Sequence, residues 1–83
     1  MHETHLIEPV IKNISEHAER EGAKAVSRVR IKIGEFTGIK EDSFRETFAV
    51  LSKGTILENA ELEINFFLAS RIEVVSFDIE QGK

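Results

Sequence analysis

The stretch Val29-Arg30-Ile31-Lys32-Ile33-Gly34 alternates apolar side chains with basic ones. Because successive side chains of a β-strand point to opposite faces, this alternation predicts a strand with one buried and one solvated face. We expect the strand to begin near Ala25 and to end at Gly34. Its basic side chains are most simply explained as a solvated sheet face.

The segment before this strand predicts an amphipathic helix over about 5–21, because its apolar residues recur every three or four positions. We expect Thr4 to be the N-cap and Gly22 to follow the helix end. Pro9 would fall in the first turn, where it removes at most about one backbone hydrogen bond. The apolar positions are Leu6, Ile7, Val10, Ile11, Ile14 and Ala18.

Three further elements are predicted after the strand. Glycines mark a loop over 34–38, and a second helix over about 41–52 places three apolar side chains on one face. Alternation predicts strands over 61–68 and 71–80, and a phase slip at Val75-Ser76 indicates a β-bulge. The acidic residues Glu61 and Glu63 favour pairing with the basic face of the first strand.

This element order, helix-strand-helix-strand-strand, predicts a two-layer α+β fold. We expect two helices packed on one face of a three-stranded mixed β-sheet, in a single domain covering residues 1–83.

The join between the last two strands is Phe67-Leu68-Ala69-Ser70-Arg71, which is unusual for a hairpin. A two-residue hairpin turn prefers Gly, Asn or Asp, and Ala-Ser supplies none of them. Either the turn is longer than two residues, or the strands continue into another subunit. The second alternative predicts a homodimer, by strand swapping or through the side chains of Phe67 and Val75.

Composition excludes several classes of function. The net charge is −4, and no long basic run appears, so the sequence argues against nucleic-acid binding. No apolar run has the length of a membrane span, and the first residues do not resemble a secretory signal. The chain contains no cysteine, which excludes thiolate zinc sites and suits the cytoplasm.

His2 is the first candidate for chemistry. The terminal amine of Met1, the amide nitrogen and imidazole of His2, and the amide nitrogen of Glu3 can converge on one ion. Planar nitrogen coordination favours Ni(II) or Cu(II) over tetrahedral Zn(II). From the residues alone, the alternative is that His2 is an exposed chain end.

His5 is a candidate additional metal ligand, and its alternative is a solvent-facing helix residue. The acidic side chains near element ends could form a carboxylate pair for acid–base catalysis, although solvation explains them more simply. The sequence contains no phosphate-binding loop and no nucleophile motif, so we expect the protein not to be an enzyme.

Taken together, these segments resemble the HypA/HybF family of hydrogenase nickel-incorporation proteins. The resemblance runs in order along nearly the whole chain. It rests on Met1-His2-Glu3, Glu21-Gly22-Ala23-Lys24, Val29-Arg30-Ile31-Lys32-Ile33-Gly34-Glu35-Phe36-Thr37-Gly38, Lys53-Gly54-Thr55, Asn59-Ala60-Glu61-Leu62-Glu63-Ile64 and Ser76-Phe77-Asp78-Ile79-Glu80.

The resemblance implies a nickel metallochaperone that works with the GTPase HypB. Such a protein delivers Ni(II) to the large subunit of [NiFe]-hydrogenase, or to urease in some organisms. It implies nickel ligands from Met1, His2 and Glu3, and a role for the Glu3 side chain in binding HypB. Some members place an aspartate at the position of Lys40, where Glu41 and Asp42 are the neighbouring carboxylates here.

The sequence departs from the family in one respect. Members carry a zinc domain with two CxxC pairs between the second and third strands, and here that domain is missing between about 68 and 71. We therefore expect nickel and no zinc. The alternative function is an interaction module that binds HypB without carrying metal.

Overall fold

The computed structural model describes residues 3–81 and confirms the α+β class. The elements are α1 (Glu3–Arg20), β1 (Ala23–Gly34), a 3₁₀ turn (Glu35–Thr37), α2 (Glu41–Leu51), β2 (Glu61–Phe67) and β3 (Ile72–Gln81). The sheet has three strands in the order β2-β1-β3, with β1 parallel to β2 and antiparallel to β3. The sheet is therefore mixed, as predicted.

Helix α1 begins earlier than its sequence pattern predicts. It starts at Glu3, so the prediction of Thr4 as the N-cap is wrong, because Thr4 already lies inside the helix. Pro9 therefore lies beyond the first turn, and it cannot donate a hydrogen bond to the carbonyl of His5. Both residues are exposed, so water can reach that carbonyl. The helix ends as predicted, with Gly22 at φ +81°.

The hydrophobic core lies between the two helices and the inner face of β1. Fully burying an aliphatic or phenylalanine side chain contributes roughly 1.5–3 kcal/mol. Across residues 3–81, no helix is long and apolar enough to cross a membrane. The buried apolar residues are Ile7, Ile11, Ile14, Ala18, Val26, Val29, Ile31, Ile33, Ile39, Phe44, Phe48 and Leu57.

The pairing of β1 with β3 contains the predicted bulge. Arg30 pairs with Ser76 and Ile31 pairs with Val74, which leaves Val75 as the extra residue. A second register shift, at Ser27, was not predicted from the sequence. It allows Val26 and Val29, three positions apart, to be buried on the same face.

The last two strands do not form a hairpin, so that interpretation of the join is wrong. β2 and β3 lie on opposite sides of β1, and the link 68–71 crosses the end of β1. The N–H of Gly34 donates to the carbonyl of Arg71 at 2.8 Å, and that of Phe36 donates to Ala69 at 2.9 Å. Because the link spans a neighbouring strand, it does not need hairpin turn residues. One chain completes the sheet without swapping, and the homodimer stays a prediction.

Candidate metal-binding end

Several chain segments meet at one end of the domain. α1 and β1 are joined by the short turn Glu21-Gly22, so they run in opposite directions, and the start of α1 lies near the end of β1. α2 begins soon after β1 ends, and Phe67 of β2 pairs with Gly34. We call this region the crossover end, formed by residues 3–6, 34–42 and 67–72.

Among the predicted metal-binding residues, Glu3 and His5 lie at the crossover end. Met1 and His2 lie outside the described residues. Glu3 is the first residue of α1, and it continues directly into a helix that is anchored by buried Ile7. His5, the candidate additional ligand, is exposed in the first turn. The prediction of these residues as nickel ligands therefore stays a prediction.

The carboxylates near the start of α2 do not form a metal cluster. Lys40 directly precedes α2, and Glu41 forms an ion pair with Arg45 at 2.9 Å. Asp42 is exposed. Across residues 3–81, no group of three or more histidine and acidic side chains is positioned to hold a metal ion.

The sequence Met1-His2-Glu3 carries groups that are predicted to bind a metal ion. An amine, an imidazole and backbone amide nitrogens are sufficient for a planar site, and they require only one side chain. Groups of this kind bind a metal only after losing protons, so a site built from them would be sensitive to pH. A fold that holds the following helix in place is compatible with such a site.

Gly34 fixes the position of the link at the crossover end. A Cβ atom at this position would overlap the carbonyl of Ala69 and lie 2.8 Å from the amide nitrogen of Arg71. The φ angle of Gly34 is −68°, which any residue can adopt. The glycine is therefore required by the close approach of the link and not by backbone conformation.

Apolar side chains are exposed around the same end. Phe36 in the 3₁₀ turn is 71% exposed and Leu68 in the link is 75% exposed. The hydrogen bond between Phe36 and Ala69 brings these two segments together. Exposed apolar groups can contact another protein where they form one continuous patch.

The outer face of the sheet carries a network of ion pairs. Arg28 bonds to Glu61 and Glu63 of β2, each at 2.8 Å. Arg30 bonds to Asp78 of β3 at 3.1 Å. The hydrogen bond from Arg30 lowers the pKa of Asp78, and the same bond raises the pKa of Arg30.

The sequence pattern predicts only half of this network of ion pairs. It predicted that the basic face of β1 pairs with acids of β2, and the structure confirms that pairing. It missed the partner on β3, although Asp78 and Glu73 carry the same acidic signal. Arg28 and Arg30 are thus paired structural groups, which differs from a simple solvated face.

Comparisons with known proteins agree with this fold and terminus. A family model described as hydrogenase/urease nickel incorporation, metallochaperone, hypA, matches residues 1–72. Hydrogenase maturation factor HypA of Archaeoglobus fulgidus is 43% identical over 65 residues, which are 78% of this chain and 59% of that protein. The same factor of Beijerinckia indica is 39% identical over 64 residues, which are 77% of this chain and 57% of that protein. The chain spans a little more than half the length of these relatives.

Two solved structures are similar in fold. The solution structure of the Ni metallochaperone HypA from Helicobacter pylori superposes with a TM-score of 0.79 and 14% identity, over 94% of this chain and 97% of that one. Another solution structure of a HypA protein gives a TM-score of 0.77 and 18% identity, over 95% and 96% of the two chains. At these identities the likeness concerns the fold alone.

Proposed function

The chain belongs to the HypA family of hydrogenase/urease nickel-incorporation proteins, and we propose that it carries Ni(II) at its amino terminus for the maturation of [NiFe]-hydrogenase. The observation that supports this most is the family match, which includes Met1-His2-Glu3. The nickel ion is the cargo of the protein. We propose that it is a binding protein of the cytoplasm and not an enzyme.

We assign the nickel ligands to the terminal amine of Met1, the amide nitrogen and imidazole of His2, and the amide nitrogen of Glu3. Four nitrogen donors in one plane match the geometry that Ni(II) prefers, and they disfavour Zn(II). The absence of cysteine removes the thiolate donors that zinc selects. Copper competes for the same donors and binds more tightly by the Irving–Williams order, so metal availability must decide occupancy.

The helix that follows the terminal segment is compatible with this assignment. Glu3 starts a helix that packs its face against β1 through Ile7, Ile11 and Ile14. The amide nitrogen of Glu3 therefore belongs to the first residue of an anchored helix. His5 lies on the exposed part of the first turn, where we propose it as an additional axial ligand.

Calorimetric titration with Ni(II) tests the proposal. We expect about one Ni(II) per chain when Met1 is the first residue, and we expect His2→Ala to abolish detectable binding because the imidazole is lost. His17→Ala is the matched control, since His17 is an exposed histidine further along α1. Unchanged affinity in His2→Ala would refute the site.

A short extension before Met1 tests the amine separately. We expect it to weaken binding about as much as His2→Ala, because the α-amine becomes an amide. The affinity for Ni(II) should also fall steeply as the pH decreases from about 8 to 6, because the amine and the imidazole take up protons in this range. Equal affinity with and without the extension would exclude the amine as a ligand.

We propose that the partners are the GTPase HypB and the large subunit of [NiFe]-hydrogenase, with urease as the alternative recipient. The Glu3 side chain is the residue that we assign to HypB binding. We propose that residues 1–83 form a single nickel-binding domain, and that the link 68–71 is the place where the zinc domain of the family would be inserted.

A second candidate function is an interaction module that binds HypB without delivering metal. The exposed apolar side chains of Phe36 and Leu68 at the crossover end favour it. Purified HypB should then bind the metal-free chain, and binding should fall in Phe36→Ser and in Glu3→Gln. If HypB binding occurs while hydrogenase maturation is not restored, this second function replaces the first.

A further inference from the structure

The outer edge of β3 is open. β3 lies at one side of the sheet, and within residues 3–81 no strand pairs with its far edge. A strand edge presents N–H and C=O groups that can pair with another extended chain. At the opposite side of the sheet, the Arg45 side chain donates to the Leu62 carbonyl at 3.2 Å, which engages a backbone acceptor of β2. β3 therefore offers the less obstructed edge.

A groove of about 630 Å³ lies beside this edge, between α1 and β3. Apolar side chains from both elements line it, including Val10 and Ile14 of α1 and Phe77 of β3. Val74 and Val75 also line it, and they remain 36% and 57% exposed. An extended chain paired with β3 would have room to direct alternate side chains toward the groove.

The other face of β3 is acidic. Glu73, Asp78 and Glu80 pair in register with Lys32, Arg28 and Ala25 of β1, on the outer face of the sheet. The strand that already pairs with β3 is β1, which alternates apolar and basic residues. Its Arg30 bonds to Asp78 at 3.1 Å. Among the residues that the structure describes, Glu80 makes no ion pair.

We propose that the open edge of β3 and the adjoining groove bind an extended segment of a partner protein in which apolar residues alternate with Lys or Arg. Strand addition of this kind supplies backbone hydrogen bonds, and side-chain pockets supply selectivity. Apolar side chains of the segment enter the groove, and its basic side chains face Asp78 and Glu80. The segment thus has the same alternation of apolar and basic residues as β1, which pairs with the other edge of β3.

A second copy of this chain is a poor occupant for the same edge. Antiparallel pairing of β3 with itself brings acidic residues together, for example Glu73 opposite Glu80, and like charges at opposed positions are destabilising. The bulge at Val75 interrupts long flat pairing as well. Both features favour a short basic segment over self-association.

A peptide titration followed by NMR tests this proposal on the whole chain. The probe is a synthetic peptide with the sequence of residues 27–34, SRVRIKIG, which has the required alternation. We expect amide shifts confined to β3 and to the groove side of α1. A peptide with glutamate at the three basic positions is the control and should not bind. Equal binding of that control, shifts at β2 instead, or no shift at millimolar peptide would overturn the proposal.

Charge-reversal variants test the carboxylates. Glu80→Lys should weaken the peptide about five-fold or more, because one favourable cross-strand pair becomes a repulsion. Glu46→Lys is the matched control, since Glu46 is exposed on α2, and it should bind the peptide as the native chain does. Shifts that appear with protein concentration alone would show that a second copy occupies the edge and would overturn the proposal. His2→Ala should leave peptide binding unchanged, so this result is independent of the nickel site.

Discussion

The two faces of β1 carry side chains of opposite character, although they alternate along a single strand. On the inner face, Val29, Ile31 and Ile33 are at most 1% exposed and belong to the core. On the outer face, the side chains of Arg28 and Arg30 remain 40% and 34% exposed, and they bond to carboxylates of both neighbouring strands.

The two faces therefore have different roles: the inner face stabilises the fold, and the outer face determines which strands pair with β1. Buried aliphatic groups stabilise the fold because they remove apolar surface from water. This effect does not depend on the direction of the neighbouring strand. Exposed ion pairs add little stability, but each demands a particular partner. Arg28 selects the acids of β2 and Arg30 selects Asp78 of β3, so the outer face favours β1 as the central strand.

The largest expected effect comes from breaking the inner face. Ile31→Ala removes a side chain that is 1% exposed at the centre of the sheet. We expect a loss of about 2–5 kcal/mol in the free energy of unfolding, from lost burial and the cavity left behind. Urea denaturation followed by circular dichroism measures it. Because small domains are stable by about 5–15 kcal/mol, the variant should still fold at low temperature.

Val50→Ala is the control for that measurement. Val50 lies on α2 and is 61% exposed, so its truncation should change the free energy of unfolding by about 0.5 kcal/mol or less. A similar loss in both variants would mean that burial on the inner face does not determine stability.

The sequence was sufficient to predict the elements and the class of the fold. Alternation in residues 29–33 and the helical spacing of Ile7, Ile11 and Ile14 are direct consequences of burial on one face, so they can be recognised without a structure. Element starts were less predictable. The Ser27 register shift alters the phase of β1, and the helix begins at Glu3 without relying on Thr4 as a cap.

The position of β1 between β2 and β3 was only partly predictable. A hairpin between successive strands is the simplest expectation, but it ignores the acids on β3. The signal for a central position is that the two strands following the basic strand β1 both carry acidic residues, and Arg30 pairs with Glu63 of β2 and with Asp78 of β3.

The chemistry of the candidate site stays a prediction, and its surroundings could not be predicted. The proposed donors of Met1-His2-Glu3 are mostly backbone atoms, so the sequence alone is sufficient to propose them. The meeting of residues 34–42 with the link 68–71 depends on the order of the strands, which local patterns do not encode. Neither pattern nor spacing indicated that Phe36 and Ala69 would be neighbours.

An intermediate loss of stability is expected from a substitution at Gly34, the last residue of β1. Gly34→Ala introduces a Cβ atom that overlaps the backbone of the link, so the link must move. We expect a loss of about 1–3 kcal/mol in the free energy of unfolding, the usual effect of overpacking. Amide hydrogen exchange should show the loss of protection at Gly34 and Phe36, which donate to the link.

Gly54→Ala separates steric overlap from backbone strain. Gly54 has a φ angle of +79°, and no atom lies within 4 Å of its added Cβ. We expect a loss of about 1 kcal/mol from the left-handed conformation and no change in exchange at Gly34. If Gly34→Ala behaves in the same way, the link is not held by close approach.

The smallest effect should come from the outer face, through Asp78→Asn, which removes one charge from the network at nearly constant size. The bond from Arg30 lowers the pKa of Asp78 below its value in the unfolded chain, so the native carboxylate contributes stability above the unfolded pKa, near 3.9. That contribution is lost as the pH falls through the folded pKa. The native chain should therefore be slightly more stable than Asp78→Asn at pH 7, and the two stabilities should converge below about pH 4.

Urea denaturation across this pH range measures the difference in stability between the native chain and Asp78→Asn, with Glu46→Gln as a control for removal of an exposed carboxylate. A difference that widens in acid, or one as large as that of Ile31→Ala, would contradict the assignment of stability to the inner face of β1.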